Sequence, residues 1–404
     1  MTKATGSFSV LQAAIWAING TIYCFSSAYL LSMNLNNTTI GILIGVAIGL
    51  CFVGQVVFGR IIDNAPENAL SRFIILGAGL MLLMSLLLLL KLPVTAAVAI
   101  FLVLCLLQQL LPAFINSAGM SDIQKGFPLD FGIGRGFGSF GYAVFSITTG
   151  ALITAFGYRI IFVISAVLSS VLILSMLGYV RVMDGYAVKA AAAAKRQSSE
   201  SRQKQAQKSF LRRYERFAVF LVGITIVMVG HTFMSNFIYQ IIRFKGGDTS
   251  STGLASAIAA FSEIPVMFVF LRLLKRARCD TWLHISLTFL ILKMLGVYFA
   301  NSMHWVYIAQ IAQMPGFALF AVSSAYYTGA VILHDDVVKG QTYFSAATML
   351  GVFVSLLMGG VIIDKLGIQA LLLTGVVIMV LGSLIVFFAT TRVEKAPGVQ
   401  ASLR

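Results

Sequence analysis

Charged residues are scarce. Asp, Glu, Lys and Arg make up 11% of a 404-residue chain, and only 14 residues are acidic. Soluble domains carry about a quarter charged residues, so a soluble enzyme, a disordered chain and a coiled coil are excluded. Cysteine is equally sparse. Cys24, Cys51, Cys105 and Cys279 form neither a Cys-x-x-Cys pair nor a metal-ligand spacing. There is no nucleophile elbow, zinc spacing or phosphate-binding loop, so no enzymatic activity, cofactor or metal is expected. Residues 1–8 are too short and polar for a cleavable leader, and the first apolar run continues as a full span.

What the chain has in abundance is apolar surface: 59% hydrophobic residues and a mean hydropathy of +0.92. A bilayer core of about 30 Å takes about 20 apolar residues per helix, which leaves room for about twelve crossings. The apolar runs predict spans at 10–32, 39–61, 72–92, 94–118, 130–156, 159–180, 217–241, 252–275, 281–301, 304–332, 341–363 and 367–391. In lipid every backbone polar group must be satisfied within its own segment, so these are helices. The expected fold is an all-α membrane protein of twelve transmembrane helices in two pseudo-symmetric six-helix bundles. Residues 1–180 form the first bundle, 181–216 a cytoplasmic linker, and 217–404 the second bundle with a short tail.

The net charge of +15 has to be read by place. Of 29 Lys and Arg, twenty-two fall on one set of alternate loops and the termini, five on the other set, and Arg135 and Lys293 within or at the edge of spans. The positive-inside rule then puts both termini and the middle loop in the cytoplasm of a multi-pass inner-membrane protein. The basic stretch 181–216 serves topology and contact with anionic lipid, not nucleic acid. A monomer is expected.

An internal repeat supports the division. Gly141, Gly150 and Gly157 recur as Gly351, Gly360 and Gly367, with spacings of nine and seven at an offset of 210 residues. Two parallel halves with a site between them describe one major class of secondary transporter. The cluster Gly132, Gly134, Gly136, Gly138 and Gly141 opens an apolar helix rather than a βαβ unit, so close helix packing is the better reading than a dinucleotide loop.

Five charged or titratable residues stand out within the spans. Glu263 is the one acid well inside a span, and a charge at membrane depth costs about 2.5–3.5 kcal/mol on insertion scales. Such a residue is expected to face a cavity or a partner. Lys293 lies mid-span and is expected to pair with it. Arg135 and Tyr142 are seven residues apart, two helical turns, so they share a face on which Arg grips hydroxyls and the ring stacks on a solute. His231 is a second group able to exchange protons. Gln108, Gln109, Asn116, Gln240, Gln310 and Gln313 are further polar groups at span depth.

Three segments carry a resemblance. Residues 58–63, Phe-Gly-Arg-Ile-Ile-Asp, follow the second span. Residues 131–142 read Phe-Gly-Ile-Gly-Arg-Gly-Phe-Gly-Ser-Phe-Gly-Tyr, and residues 262–265 read Ser-Glu-Ile-Pro. Together they resemble the major facilitator superfamily, in the branch of the lactose permease and related oligosaccharide and nucleoside proton symporters. The resemblance implies proton-coupled uptake of a sugar or oligosaccharide by alternating access, with a nucleoside symporter or a sugar exporter as alternatives. A non-transporting receptor or scaffold is the alternative of a different class. Arg135, Tyr142, Glu263, Lys293, Asn116 and Gln313 are then expected to bind solute. Glu263, His231 and Lys293 are expected to couple protons, and Gly59 and Asp63 to serve the gate. The sequence departs from that branch in its tenth span, where residues 309–316 carry neither His nor Glu. It departs again at Thr348, where a lysine would stand, and at 64–66, where Asn-Ala-Pro follows Asp63.

Overall fold

The computed structural model describes residues 1–63, 68–193, 213–332 and 336–390. Among these, ten helices are long and apolar enough to cross a membrane. The last of them, within Val337–Thr390, breaks at Gly367 into two crossings, and Thr249–Leu274 supplies a further one. The twelve are α1 (Lys3–Ser32), α2 (Asn37–Asp63), α3 (Ala69–Leu87), α4 (Val94–Gln124), α5 (Phe131–Phe156), α6 (Ile160–Ala193), α7 (Glu215–Asn236 continued by Ile238–Phe244), α8 (Thr249–Leu274), α9 (Cys279–Phe299), α10 (Met303–Val331), and α11 and α12 on either side of Gly367.

Polar caps start several of these helices. Thr2, Asp130 and Asp248 accept the backbone N–H of Thr5, Ile133 and Ser251 and so begin α1, α5 and α8. The Thr2 hydroxyl also donates to the Pro128 carbonyl at 2.6 Å, tying the N-terminus to the α4–α5 loop. Helix α1 thus begins seven residues before the expected span. Helix α6 runs on to Ala193, thirteen residues past its expected end, because an alanine run of high helix propensity follows it. Residues 194–212 of the expected linker lie outside the described residues.

Buried apolar side chains fall into two large clusters. One runs from Ala4 to Met183 with Leu356, the other from Phe217 to Ala389. The glycine repeat acts the same way in each. Gly157 (φ 77°) and Gly367 (φ 85°) take the left-handed backbone at a helix break. A Cβ on Gly141 would lie 2.5 Å from the Ala13 carbonyl of α1, and one on Gly351 would lie 2.8 Å from the Thr225 carbonyl of α7. A Cβ on Gly150 would lie 2.6 Å from the Thr249 carbonyl of α8, and one on Gly360 would overlap the Asn37 carbonyl of α2. Each triplet therefore sets one helix against its own half and, nine residues on, against the other half.

Antiparallel crossing puts the N-terminus and the loops after α2, α4 and α8 on one face, the terminal face. The turns after α1, α5, α7 and Gly367 lie on the other, the distal face. Bonds between the halves gather at mid-depth and at the distal face. Asp364 accepts from the backbone and side chains of Asn37 and Thr38 at 2.6–3.2 Å. Thr154 meets Thr249 at 2.8 Å, and Gln240 reaches Asn37 and Ser27 at 3.2 Å.

Candidate functional site

Between the halves lies a cavity of about 330 Å³. Arg135, Ser139 and Tyr142 of α5 line it from one half, and Glu263 of α8, Lys293 of α9 and Gln310 and Gln313 of α10 from the other. Helix α1 breaks at Tyr23–Phe25, and α7 breaks at Phe237. At the α1 break Tyr23 donates to Asn236 Oδ1 at 2.5 Å and the Cys24 thiol to Ser256 Oγ at 3.2 Å. These bonds close the cavity on its distal side.

The acid and the lysine do not touch, contrary to the pairing expected of them. Gln313 stands between them: its Nε2 donates to Glu263 Oε1 at 2.9 Å, and its Oε1 accepts from Lys293 Nζ. The backbone explains the placement. Pro315 has no N–H and cannot continue the helical ladder, so α10 opens into a π turn at Met314–Ala318, and the Ala318 N–H reaches back to the Gln313 carbonyl. Such turns often mark functional positions.

Arg135 is held differently. Its guanidinium lies 4.0 Å over the Trp16 ring, and its buried Nη1 has no hydrogen-bond partner. Trp16 Nε1 donates to Gln12 Oε1 at 3.2 Å, and Gln12 Nε2 donates to Asn116 Oδ1 at 2.7 Å. A Cβ on Gly138 would lie 2.7 Å from Trp16 Cδ1, so the glycine row of α5 makes room for this ring. Tyr142 rests on Ala143, Ala257 and Ala260.

The structure thus brings Arg135, Tyr142, Glu263, Lys293 and Gln313 to one cavity and leaves two expected residues off it. Asn116 is turned to Gln12 because α4 rotates that face onto α1. His231 is buried and stacked on Phe317, rings 12° apart at 5.0 Å, and the Phe317 ring stands at the cavity wall in its place. Thr348 donates to its own helix at Ser345. Gly59 has open space around it, and the side chain of Asp63 lies outside the described residues. Trp16, Asn19, Tyr23 and Phe317 are cavity residues that the sequence reading missed. Gln12, Trp16, Asn19 and Tyr23 recur at spacings of four, three and four along α1, a helical stripe of polar and aromatic groups inside an apolar span. That stripe was the available signal. Among the described residues no cluster of His, Cys, Asp and Glu is set to hold a metal ion.

Known proteins resemble this chain over most of its length. The probable 3-phenylpropionic acid transporter of Escherichia coli (strain K12) is 24% identical over an alignment of 359 residues that covers 85% of this chain and 89% of that one. The crystal structure of the nucleoside transporter NupG superposes with a TM-score of 0.72 at 13% identity, covering 97% of this chain and all of that one. A bacterial homolog of the human lysosomal transporter Spinster, in an inward-facing and occupied conformation, gives 0.64 at 12% identity over 98% of this chain and all of its own. The model of the MFS_1 like family matches residues 14–374. The chain is a multi-pass membrane transporter rather than an enzyme, and it belongs to the MFS_1 like family of the major facilitator superfamily.

Proposed function

We propose that this protein is a proton-coupled importer of a small organic acid, one with a carboxylate at one end and an aromatic or apolar ring at the other. The observation that carries the reading is the Arg135 Nη1, buried at the cavity without a partner. Glu263 is the one carboxylate among the cavity residues, and its Oε1 already accepts from Gln313. The lining holds two cations, Arg135 and Lys293, against that single acid. A solute carboxylate offsets the surplus and accepts two parallel N–H groups from the guanidinium fork. Trp16, Tyr23, Tyr142 and Phe317 offer rings to the solute body. The related 3-phenylpropionic acid transporter fits the same chemistry. A cavity of about 330 Å³ is near the lower limit for ligand sites, which disfavours an oligosaccharide.

A sugar of monosaccharide size is the second reading. Ser139, Ser235, Ser256, Asn19 and Gln310 support it, since they add neutral hydrogen-bonding groups to the wall. Glu263 is the proposed proton site in either case. The excess of Lys and Arg on the terminal face supports a cytoplasmic placement of both termini in the inner membrane. The cavity, closed distally, is then the inward-facing stage of alternating access.

A thermal-shift titration of the purified protein with 3-phenylpropionate, glucose, lactose and uridine tests the reading. The acid should raise the melting temperature, and Arg135→Gln should abolish the shift. A shift with glucose and none with the acid would replace the first reading by the second.

A further inference from the structure

Gln313 occupies an unusual position: a neutral amide inserted between two groups of opposite formal charge, at the point where its helix breaks. An amide has a donor end and an acceptor end, and an ammonium has no acceptor. While Lys293 is charged, the amide must show it the oxygen, and therefore shows its N–H to Glu263. Lys293 is 3% exposed and Gln313 8%, so the bond between them is shielded from bulk water. The other charged or titratable groups around the site are Arg135 and Tyr142 from α5, Tyr23 and the Cys24 thiol from α1, the thiol bonded to Ser256 of α8, and His231 from α7, shielded by Phe317. Of the cavity groups, only the Lys293–Gln313–Glu263 chain joins a cation to the acid by hydrogen bonds.

We propose that Gln313 is the positioning residue that makes solute binding and proton binding depend on one another. It holds Glu263 as a carboxylate while Lys293 rests on it, and frees Glu263 to take a proton when a solute carboxylate draws Lys293 away. The inference rests on the organic-acid reading above. In the empty cavity Arg135 and Lys293 are cations and Glu263 an anion. A solute carboxylate enters onto the Arg135 guanidinium and also draws Lys293 to itself, exchanging the Lys293–Gln313 hydrogen bond for an ion pair. The Gln313 amide is then no longer pinned, and Glu263 accepts one proton from water on the open side to become a carboxylic acid. One anion and one proton have entered, so the loaded cavity carries the same charge as the empty one. The halves can then rearrange with equal charge in both directions of the cycle.

The test is calorimetric titration of the full-length protein in detergent with 3-phenylpropionate, in buffers of differing protonation enthalpy. The wild type should take up about one proton per anion, with Kd falling about tenfold per unit decrease in pH through the coupled range. Gln313→Met keeps the side-chain length but neither donates nor accepts at the far end in this way. Its affinity for the anion and its melting temperature should both change, since two buried charged groups lose a partner, while proton uptake per anion bound falls near zero and Kd loses its pH dependence. If the methionine variant does not fold, Gln313→Asn withdraws the amide by one methylene and should give the same loss. A wild type inert to the anion would remove the organic-acid reading and this inference with it. A wild type and a Gln313 variant that both take up one proton per anion would overturn this inference alone.

Discussion

Replacing Gly253 by valine should hold the distal face open. A Cβ at 253 on α8 overlaps the Ser146 carbonyl oxygen of α5, and the obstacle is backbone on both sides, so neither helix can yield by a side-chain turn. The seam is also tied by the Thr154–Thr249 bond and by Gly150 against the backbone of α8, which leaves no room for a sideways slip. Overpacking of this kind costs about 1–3 kcal/mol. Since 1.4 kcal/mol is tenfold, the distally closed population should fall roughly 5- to 150-fold relative to the open one. Cys24 reports the change, because it is 4% exposed and lies under the seam, bonded to Ser256. In a background of Cys51→Ala, Cys105→Ala and Cys279→Ala, a membrane-impermeant maleimide applied from the distal side should label Cys24 faster in Gly253→Val by that factor. Transport should fall with it. Equal labelling and full transport would refute the claim that this seam closes the cavity.

Three further outcomes follow from other contacts. Gln12→Leu removes the hydrogen bond that orients Trp16 beneath Arg135, so affinity for the acid should drop about 2- to 10-fold, the value of one hydrogen bond of about 0.5–1.5 kcal/mol; titration calorimetry reads this directly. Asp364→Ala strips the N-terminus of α2 of an acceptor from the other half and should speed Cys24 labelling about tenfold or more, hydrogen bonds to a charged group being worth about 1.5–3 kcal/mol each. At the terminal face, hydrogen bonds from Lys339 first, then from Tyr214, with Arg213 beside them, hold the Asp336 carboxyl below the usual carboxylate range. A depressed carboxyl stabilises the fold above its unfolded pKa of about 4, and that contribution fades as pH falls below it. Asp336→Asn should therefore melt below the wild type at pH 7, and the difference should close towards pH 3.

The sequence makes some of this plain and hides the rest for physical reasons. Apolar runs of helical length are legible because the bilayer imposes their length, and the glycine repeat is legible because close backbone approach tolerates no Cβ at Gly150 or Gly360. Arg135, Glu263 and Lys293 are legible as a group because an isolated charge in lipid is costly. The partner each one takes is another matter. It depends on helix rotation and on backbone breaks, and so Gln313 rather than Glu263 meets Lys293, and Asn116 turns to Gln12. Local signals for the breaks in α1 and α7 are weak, since neither Tyr23–Phe25 nor Phe237 includes Gly or Pro. Pro315 and Gly316 do announce the break in α10, although not that it becomes a π turn. The stripe of Gln12, Trp16, Asn19 and Tyr23 was open to the same helical reasoning that paired Arg135 with Tyr142.

The proposed central role of the cavity, moving an organic anion with a proton, is tested most directly by uptake into vesicles. The purified chain is reconstituted, a pH gradient is imposed with the outside acid, and accumulation of labelled 3-phenylpropionate is followed against labelled lactose. Uphill accumulation of the acid should exceed the passive control, collapse with the gradient and be lost in Arg135→Gln, with no accumulation of lactose. Accumulation of lactose, or acid uptake that is indifferent both to the gradient and to Arg135, would contradict that role.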